Sequence, residues 1–310
     1  MSLAVETKGL KKSYNGFMAH DGLDISVPEG CIYGFLGPNG SGKTTTLKIL
    51  TGMTRTSGGS VSILGKPVIF GSGKNIEDVG FLPDVPGFYD WMTAIEFLSF
   101  CGNLFSLDRV ALKERVNSLL ETVGLTEFPK KKIGGYSRGM KQRLGIAQAL
   151  INQPKVVFLD EPVSALDPVG RKEVMNIIQS LSGKHTVFFS THVLDDVERV
   201  CDRVVIINHG KAVAEGSLDQ IKSMSAPSEM VLEAEGLSPA EFVEWVAKIE
   251  GIKQAYVENG RKIHVNVDDL NLARAGINRL VYEKEIQLRR LEVLEPTLED
   301  IFLRVVKKDA

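Results

Sequence analysis

The sequence predicts an α/β domain built on a mostly parallel sheet, followed by a small α+β unit. Three observations lead there. Short apolar runs alternate with helix-like stretches between residues 31 and 208, the pattern of strand–helix crossovers. A glycine-rich turn, Gly37 to Gly42, separates the first of these runs from a helix-like segment. After Gly216 the order of segments changes to β-α-β-β-α-β. The length, 310 residues, exceeds what one core serves comfortably and favours two domains.

Along the chain, Leu3 to Val27 mixes apolar residues with the turn-formers Asn15-Gly16 and Asp21-Gly22, and predicts short strands and hairpins. Cys31 to Leu36 is a compact apolar run, a buried strand. Gly59 to Val68 and Val79 to Leu82 are strand-like. From about Trp91 to Gly135 apolar residues recur at helical spacing, which predicts a helical insert. Then follow a helix in MKQRLGIAQALI, a strand in VVFLD, a helix in RKEVMNIIQSL, a strand in TVFFSTH, a helix in VLDDVERVC and a strand in RVVIIN. In the second unit MVLEA, QAYVE, KIHVNV and EIQLRRLEV are strands, and PAEFVEWVAKI and LNLARAGINRLVYE are helices. Asn259-Gly260 is a tight-turn signal, and the order is ferredoxin-like. In the tail, Leu298, Ile301 and Phe302 give one apolar helix face.

Composition narrows the function. Hydrophobic residues make up 43% and charged residues 25%, with a formal net charge of -2. No global positive field points to nucleic acid, and no direct nucleic-acid partner is expected. Cys31, Cys101 and Cys201 lie far apart with no CxxC pair, so neither a disulfide framework nor a zinc site is signalled, and a reducing setting fits. The N-terminus lacks the apolar stretch of a signal peptide. No window holds 18 charge-free apolar residues, so any membrane role is expected to come through a partner.

Three segments carry chemistry. Gly37-Pro38-Asn39-Gly40-Ser41-Gly42-Lys43-Thr44 matches G-x-x-x-x-G-K-[ST] between a buried strand and a helix, the context that motif requires. Its glycines let backbone N–H groups face phosphate oxygens, and the helix N-terminus favours an anion. Lys43 is expected at the β- and γ-phosphates and Thr44 on Mg²⁺, with Thr45 completing the nucleotide-binding set. In Val156–Glu161 an apolar strand delivers two carboxylates at its C-terminal end, where ligands bind in open α/β sheets. Asp160 is expected to reach Mg²⁺ through water and Glu161 to take a proton from the attacking water. His192 ends another apolar strand, where it can bond the γ-phosphate or hold the base in line.

Together these segments resemble the nucleotide-binding subunits of ABC transporters, over roughly residues 3–216. Tyr136-Ser137-Arg138-Gly139-Met140-Lys141-Gln142-Arg143 sits where the signature motif belongs. It departs from the usual form at Tyr136, Arg138 and Met140, while Ser137 and Gly139, the parts that meet ATP from the facing subunit, remain. Ser164-Ala165-Leu166-Asp167 looks like the D-loop, His192 matches the switch histidine, and Tyr14 matches the residue that stacks on adenine. Asp84 stands where the family has a glutamine; it is a nucleotide-site residue and a candidate Mg²⁺ contact through water.

The resemblance implies a P-loop NTPase fold, with an ABC-type nucleotide-binding domain over 1–218 that includes a helical subdomain at about 88–136. Residues 219–310 would form an accessory domain, regulatory or dimer-supporting. It implies ATP and Mg²⁺ as cofactors, ATP hydrolysis, and a site shared with a second copy or a homologous subunit. Tyr136–Met140, the acidic residue after Pro83, and Glu295–Phe302 resemble the exporter branch of the ABC-2 type, which acts with a separate transmembrane permease. Coupling is expected through residues 84–103, where Pro86, Gly87, Phe88, Tyr89, Trp91 and Met92 form an apolar stretch. The protein would then lie peripherally on the cytoplasmic face of the membrane. The rival reading is a soluble ABC ATPase acting on a nucleic-acid or ribosomal complex.

Overall fold

A computed structural model describes residues 2–73, 75, 77–224, 229–258, 260–294 and 296–308, with the backbone course alone for 304–308. The chain divides into two compact units, one running through Leu218 and the other from Asp219 to Lys308.

The first unit opens with β1 (Leu3–Tyr14) and β2 (Phe17–Pro28), an antiparallel hairpin. It turns on Asn15 and Gly16, both at positive φ (46° and 88°), the twist that suits a two-residue hairpin. The expectation of several short strands here is corrected to one long pair. Register shifts near Thr7/Leu10 and Lys12/Ser13 let each strand slip a residue and continue, as bulges do, so the interrupted alternation in the sequence did not mean interrupted strands.

Next come β3 (Ile32–Leu36), α1 (Lys43–Leu50), β4 (Gly58–Ile63), β5 (Lys66–Pro67) and β6 (Val79–Leu82). The helical insert holds α2 (Ala94–Leu104) and α3 (Arg109–Thr122). Thr93 and Glu96 form a reciprocal capping box at the start of α2, and Asp108 caps α3, satisfying N–H groups the helices cannot satisfy themselves. The alternation resumes with α4 (Arg138–Ala149), β7 (Val156–Asp160), α5 (Pro168–Ser180), β8 (Thr186–Thr191), α6 (Leu194–Val200), β9 (Arg203–Asn208) and β10 (Lys211–Ser217).

Two sheets result. One has the order β2-β1-β4-β5 and the other β10-β9-β3-β8-β7-β6. In the second, every pairing except β10 with β9 is parallel. Strands β3, β7 and β8 are buried along their whole length. Phe188 lies at their centre, with Tyr33, Phe35 and Phe158 at ring-centroid distances of 5.5, 5.1 and 5.6 Å, separations at which aromatic rings attract.

Strand β10 was not expected, since Gly216 reads as a break. It forms because His209 and Gly210 take positive φ (46° and 75°), a hairpin turn that folds Lys211–Ser217 back on β9. Pairing, not the weak propensity of its Ala, Glu and Gly residues, makes it a strand.

Helix α7 (Leu218–Ser223) begins on the last residue of the first unit, and the second unit continues with β11 (Glu229–Glu235), α8 (Pro239–Val246), β12 (Ile252–Glu258), β13 (Lys262–Val267), α9 (Leu270–Glu283), β14 (Gln287–Leu294) and α10 (Leu298–Lys308). Its sheet is antiparallel with order β12-β13-β11-β14, and Phe242, Val246, Ala273 and Ile277 of α8 and α9 bury against Met230, Leu232, Ile263 and Val265. This is the ferredoxin-like α+β arrangement. Leu298 and Ile301 of the tail helix are buried. Asn259 and Glu295, which belong to the turn and tail motifs, lie outside the described residues.

Candidate functional site

Parallel pairing brings the C-terminal ends of β3, β7 and β8 side by side. Leu36 pairs with Thr191, and Asp160 with Ser190. The residues following each strand, Gly37–Gly42, Glu161 and His192, therefore converge on one edge of the sheet.

From β3 the chain curls into α1. A Cβ on Gly37 would lie 2.5 Å from Ser41 Oγ and 2.7 Å from the Ile207 carbonyl oxygen, so no side chain fits there. Gly42 caps α1 at φ 106° and offers the first N–H groups of the helix no side-chain acceptor. Those donors, with the favourable end of the helix dipole, face outward as an anion cradle. Ser41 Oγ is buried and, among the described residues, has no hydrogen-bond partner. Pro38 is half-buried, Asn39 and Gly40 are exposed, Thr44 is exposed and Thr45 half-buried.

Lys43 Nζ donates to the carbonyl oxygens of Gly37 (2.8 Å) and Pro38 (3.2 Å) and lies 3.3 Å from Glu161 Oε1. The other oxygen of Glu161 is 2.9 Å from His192 Nδ1. Lysine, glutamate and histidine thus form a connected chain, with Lys43 and Glu161 nearly buried and the His192 ring half-exposed. Glu161 adopts φ 46°, an uncommon conformation for a residue other than Gly, Asn or Asp. Its N–H donates to Ser190 Oγ (2.9 Å), which donates to Asp160 Oδ1 (2.7 Å). One hydroxyl therefore holds the two consecutive acidic residues.

Thr44, Asp84 and Asp160 line a common cavity of about 850 Å³. A threonine hydroxyl and two carboxylates are an oxygen-only donor set. That suits a hard cation such as Mg²⁺, which takes one or two carboxylates and completes its shell with water and substrate phosphate. The same cavity is lined by Met53, Ile69, Phe81, Val85 and Leu104, and Tyr89, Trp91 and Phe100 form an exposed aromatic cluster on the insert. The expected coupling stretch is thus mixed. Tyr89 and Trp91 are exposed, whereas Phe88 packs edge-on against buried Phe97.

Four expected residues stand apart. Ser137 caps α4, its Oγ accepting from Met140 N–H, and is exposed; Gly139 follows in the first turn. Among the described residues no hydrogen bond or ion pair joins either of them to Lys43, Glu161 or His192. Tyr14 is half-exposed at the hairpin tip, with Lys12 Nζ 4.4 Å from its ring centroid. Asp167 caps α5 by accepting from Gly170 N–H.

Sequence reasoning missed Ser190 and His20. Neither had a local signal: Ser190 is placed opposite Asp160 only by the pairing of its strand with β7, and His20 lies on β2 beyond a register shift, where alternation no longer tells inside from outside.

The family described as ABC transporter matches residues 20–164, and the family described as ATP-binding protein DrrA1-3-like, C-terminal domain, matches residues 216–306. An ABC transporter ATP-binding protein of Bacillus subtilis is 39% identical over 98% of this chain and 99% of its own length. The bacitracin transport ATP-binding protein of Bacillus licheniformis is 33% identical over 99% and 98%, and the daunorubicin/doxorubicin resistance ATP-binding protein of Streptomyces peucetius 31% over 97% and 91%. Among solved structures, the ATP-binding subunit of an ABC transporter superposes with a TM-score of 0.64 at 28% identity, covering 71% of this chain and 92% of that one. The cbiO1 component of an ABC transporter from Clostridium perfringens gives 0.65 at 27% identity, covering 72% and 92%.

Proposed function

Since this chain belongs to the ABC transporter family as an ATP-binding subunit that hydrolyses ATP, we propose that it powers an exporter of the ABC-2 type. It would act as a dimer, with a second copy or a homologous subunit, on a separate transmembrane permease. Two relatives matched across nearly their whole length are named for bacitracin transport and for daunorubicin/doxorubicin resistance, and the accessory unit matches a family named for the latter kind of protein. Among the described residues no helix is long and apolar enough to cross a membrane, which is consistent with peripheral attachment through a partner at the cytoplasmic face.

In this reading Lys43 and the α1 N-terminus bind the β- and γ-phosphates, and the unpartnered Ser41 hydroxyl has the loop's phosphate as its natural acceptor. Thr44 and Asp160 would hold Mg²⁺, with Asp84 beside them, and the ion supplies neutralisation of phosphate charge. Glu161 takes the proton of the attacking water, and His192, bonded to its far oxygen, keeps the carboxylate in line. Ser190 fixes Asp160 and Glu161 as one unit. Tyr14 stacks on adenine. Ser137 and Gly139 meet the nucleotide of the facing subunit, which accords with their separation from Lys43 within one chain.

The observation that carries the transport reading is the shared cavity. Asp84, Thr44 and Asp160 line the same space as Val85, Met53 and Leu104. A partner's apolar helix seated there would touch the loop that adjoins the Mg²⁺ residues, so nucleotide state and partner docking would be read by one wall. Exposed apolar surface of this kind marks a docking site.

The test is a pull-down from native membranes with tagged Glu161→Gln protein and ATP, with partners identified by mass spectrometry. A multi-span permease is the expected partner. Ribosomal or nucleic-acid-bound proteins without a permease would overturn the exporter reading in favour of a soluble ABC ATPase.

A further inference from the structure

His20 is fully buried behind the phosphate loop, and none of the chemistry above uses it. Its ring nitrogens reach two different parts of the fold. Nε2 lies 3.0 Å from Thr46 Oγ1 on α1, and Nδ1 lies 3.4 Å from the Gly210 carbonyl oxygen in the β9–β10 turn. Between them the ring edge presses on the loop itself: a Cβ on Gly42 would lie 2.4 Å from His20 Cε1. Gly210 closes the circuit by donating its N–H to the Ser41 carbonyl oxygen (3.2 Å).

The hydrogen-bond roles follow from elimination. Burial lowers the imidazole pKa from its ordinary 6.5, against smaller opposing effects of the Gly210 and Gly42 backbone groups, so the ring is neutral near pH 7. A neutral imidazole has one N–H. The Gly210 carbonyl can only accept, so a ring bonded to it carries its hydrogen on Nδ1 and leaves Nε2 to accept from the Thr46 hydroxyl. That matters because Thr46 Oγ1 has a second acceptor within reach, the Gly42 carbonyl oxygen at 3.1 Å, which already receives the Thr46 N–H at 2.9 Å. The Thr46 hydroxyl therefore stands between the His20 ring and the Gly42 carbonyl and ties the ring to the first turn of α1.

We propose that His20 is a positioning residue for nucleotide binding: clamped between the Gly210 carbonyl and the Thr46 hydroxyl, its ring fixes the orientation of Gly42 and hence of the phosphate-facing N–H groups at the start of α1. The inference rests on the loop being the ATP site. It assigns His20 and Thr46 a joint role that acts on affinity, not on the proton transfer at Glu161.

The experiment measures ATP affinity with a fluorescent ATP analogue, together with kcat and KM, for the full chain carrying His20→Leu, His20→Gln, Thr46→Val and the double change His20→Leu/Thr46→Val. Leucine fills the space without bonds, whereas glutamine can accept from Thr46 and donate to Gly210. His20→Leu and Thr46→Val are each expected to weaken binding about tenfold with kcat retained, His20→Gln to stay within about threefold of the wild type, and the double variant to be no worse than either single one, as coupled sites behave. Should His20→Leu fail to fold, His20→Gln and Thr46→Val still carry the test. Wild-type affinity in His20→Leu, equal losses in the Leu and Gln variants, or strictly additive losses in the double variant would each overturn the proposal. A wild-type chain that does not bind ATP overturns the site reading along with it, whereas tight wild-type binding with an unaffected His20→Leu overturns this inference alone.

Discussion

Replacing Ser190 by alanine removes one oxygen from the interior and asks whether the two acidic residues are held as a pair. Two hydrogen bonds disappear, 2.7 Å to Asp160 Oδ1 and 2.9 Å from the Glu161 N–H. A bond to a charged group contributes about 1.5–3 kcal/mol and an ordinary one about 0.5–1.5, and Asp160 is only 2% exposed. The expected loss is about 2–4 kcal/mol. At about 2–4 °C per kcal/mol for a domain of this size, Tm falls by roughly 4–16 °C. If about 2 kcal/mol of the loss is felt where Glu161 meets the water, kcat falls about thirtyfold. Phosphate release at saturating MgATP measures kcat, thermal unfolding measures Tm, and a fluorescent nucleotide reports affinity separately. A Ser190→Ala protein with unchanged kcat and unchanged Tm would refute the claim that this hydroxyl seats the acidic pair.

Other consequences are open to measurement. Glu161→Gln should lower kcat by about 10²–10⁴, the contribution of a general base, while ATP binding survives in an equilibrium assay. Gly42→Ala places a methyl against the His20 ring in a left-handed backbone, and should weaken ATP binding at least tenfold, with strain of about 1–3 kcal/mol showing as a lower Tm. Trp91→Ala, at a residue 65% exposed, should leave Tm and basal hydrolysis within error of the wild type yet abolish permease recovery in the pull-down. Because burial lowers the His20 pKa below 6.5, the unfolded chain binds more protons just under that pH. Stability is then fully present above about 6.5 and declines as pH falls toward the folded pKa. Urea unfolding at several pH values should show this decline, and His20→Leu should lessen it.

Much of the site was legible because its residues are local. The phosphate loop is one contiguous segment, and Asp160, Glu161 and His192 each terminate an apolar run, so strand–loop boundaries predict the sheet edge on which they lie. The parallel sheet and the ferredoxin-like unit followed from segment order, and VVFLD, RVVIIN and KIHVNV are strands residue for residue. What could not be read depends on contacts distant in sequence. Strand β10 exists by pairing with β9. The length of the first hairpin depends on bulges that alternation reads as interruptions. Ser190 matters through a partner 30 residues away and His20 through one 190 away, and neither carries a local signature. Ser137 and Gly139 were assigned by resemblance alone, since among the described residues no hydrogen bond or ion pair ties them to Lys43.

The β9–β10 hairpin has a mechanical corollary. Its turn holds the phosphate loop through Gly210, and its open end, Ser217 beside Arg203, is where the chain leaves for the accessory unit. The end of the ladder that adjoins the accessory unit is thus the end remote from the turn, and Glu215 between them is held by the Ser26 N–H and the Tyr33 hydroxyl as well as by β9. Six residue pairs run from that end to the turn. The hairpin is a spacer: fraying at Ser217 and Gly216 leaves the Gly210 contact to the phosphate loop in place for as long as the pairs nearest the turn, Lys211 with Asn208 and Ala212 with Ile207, stay closed.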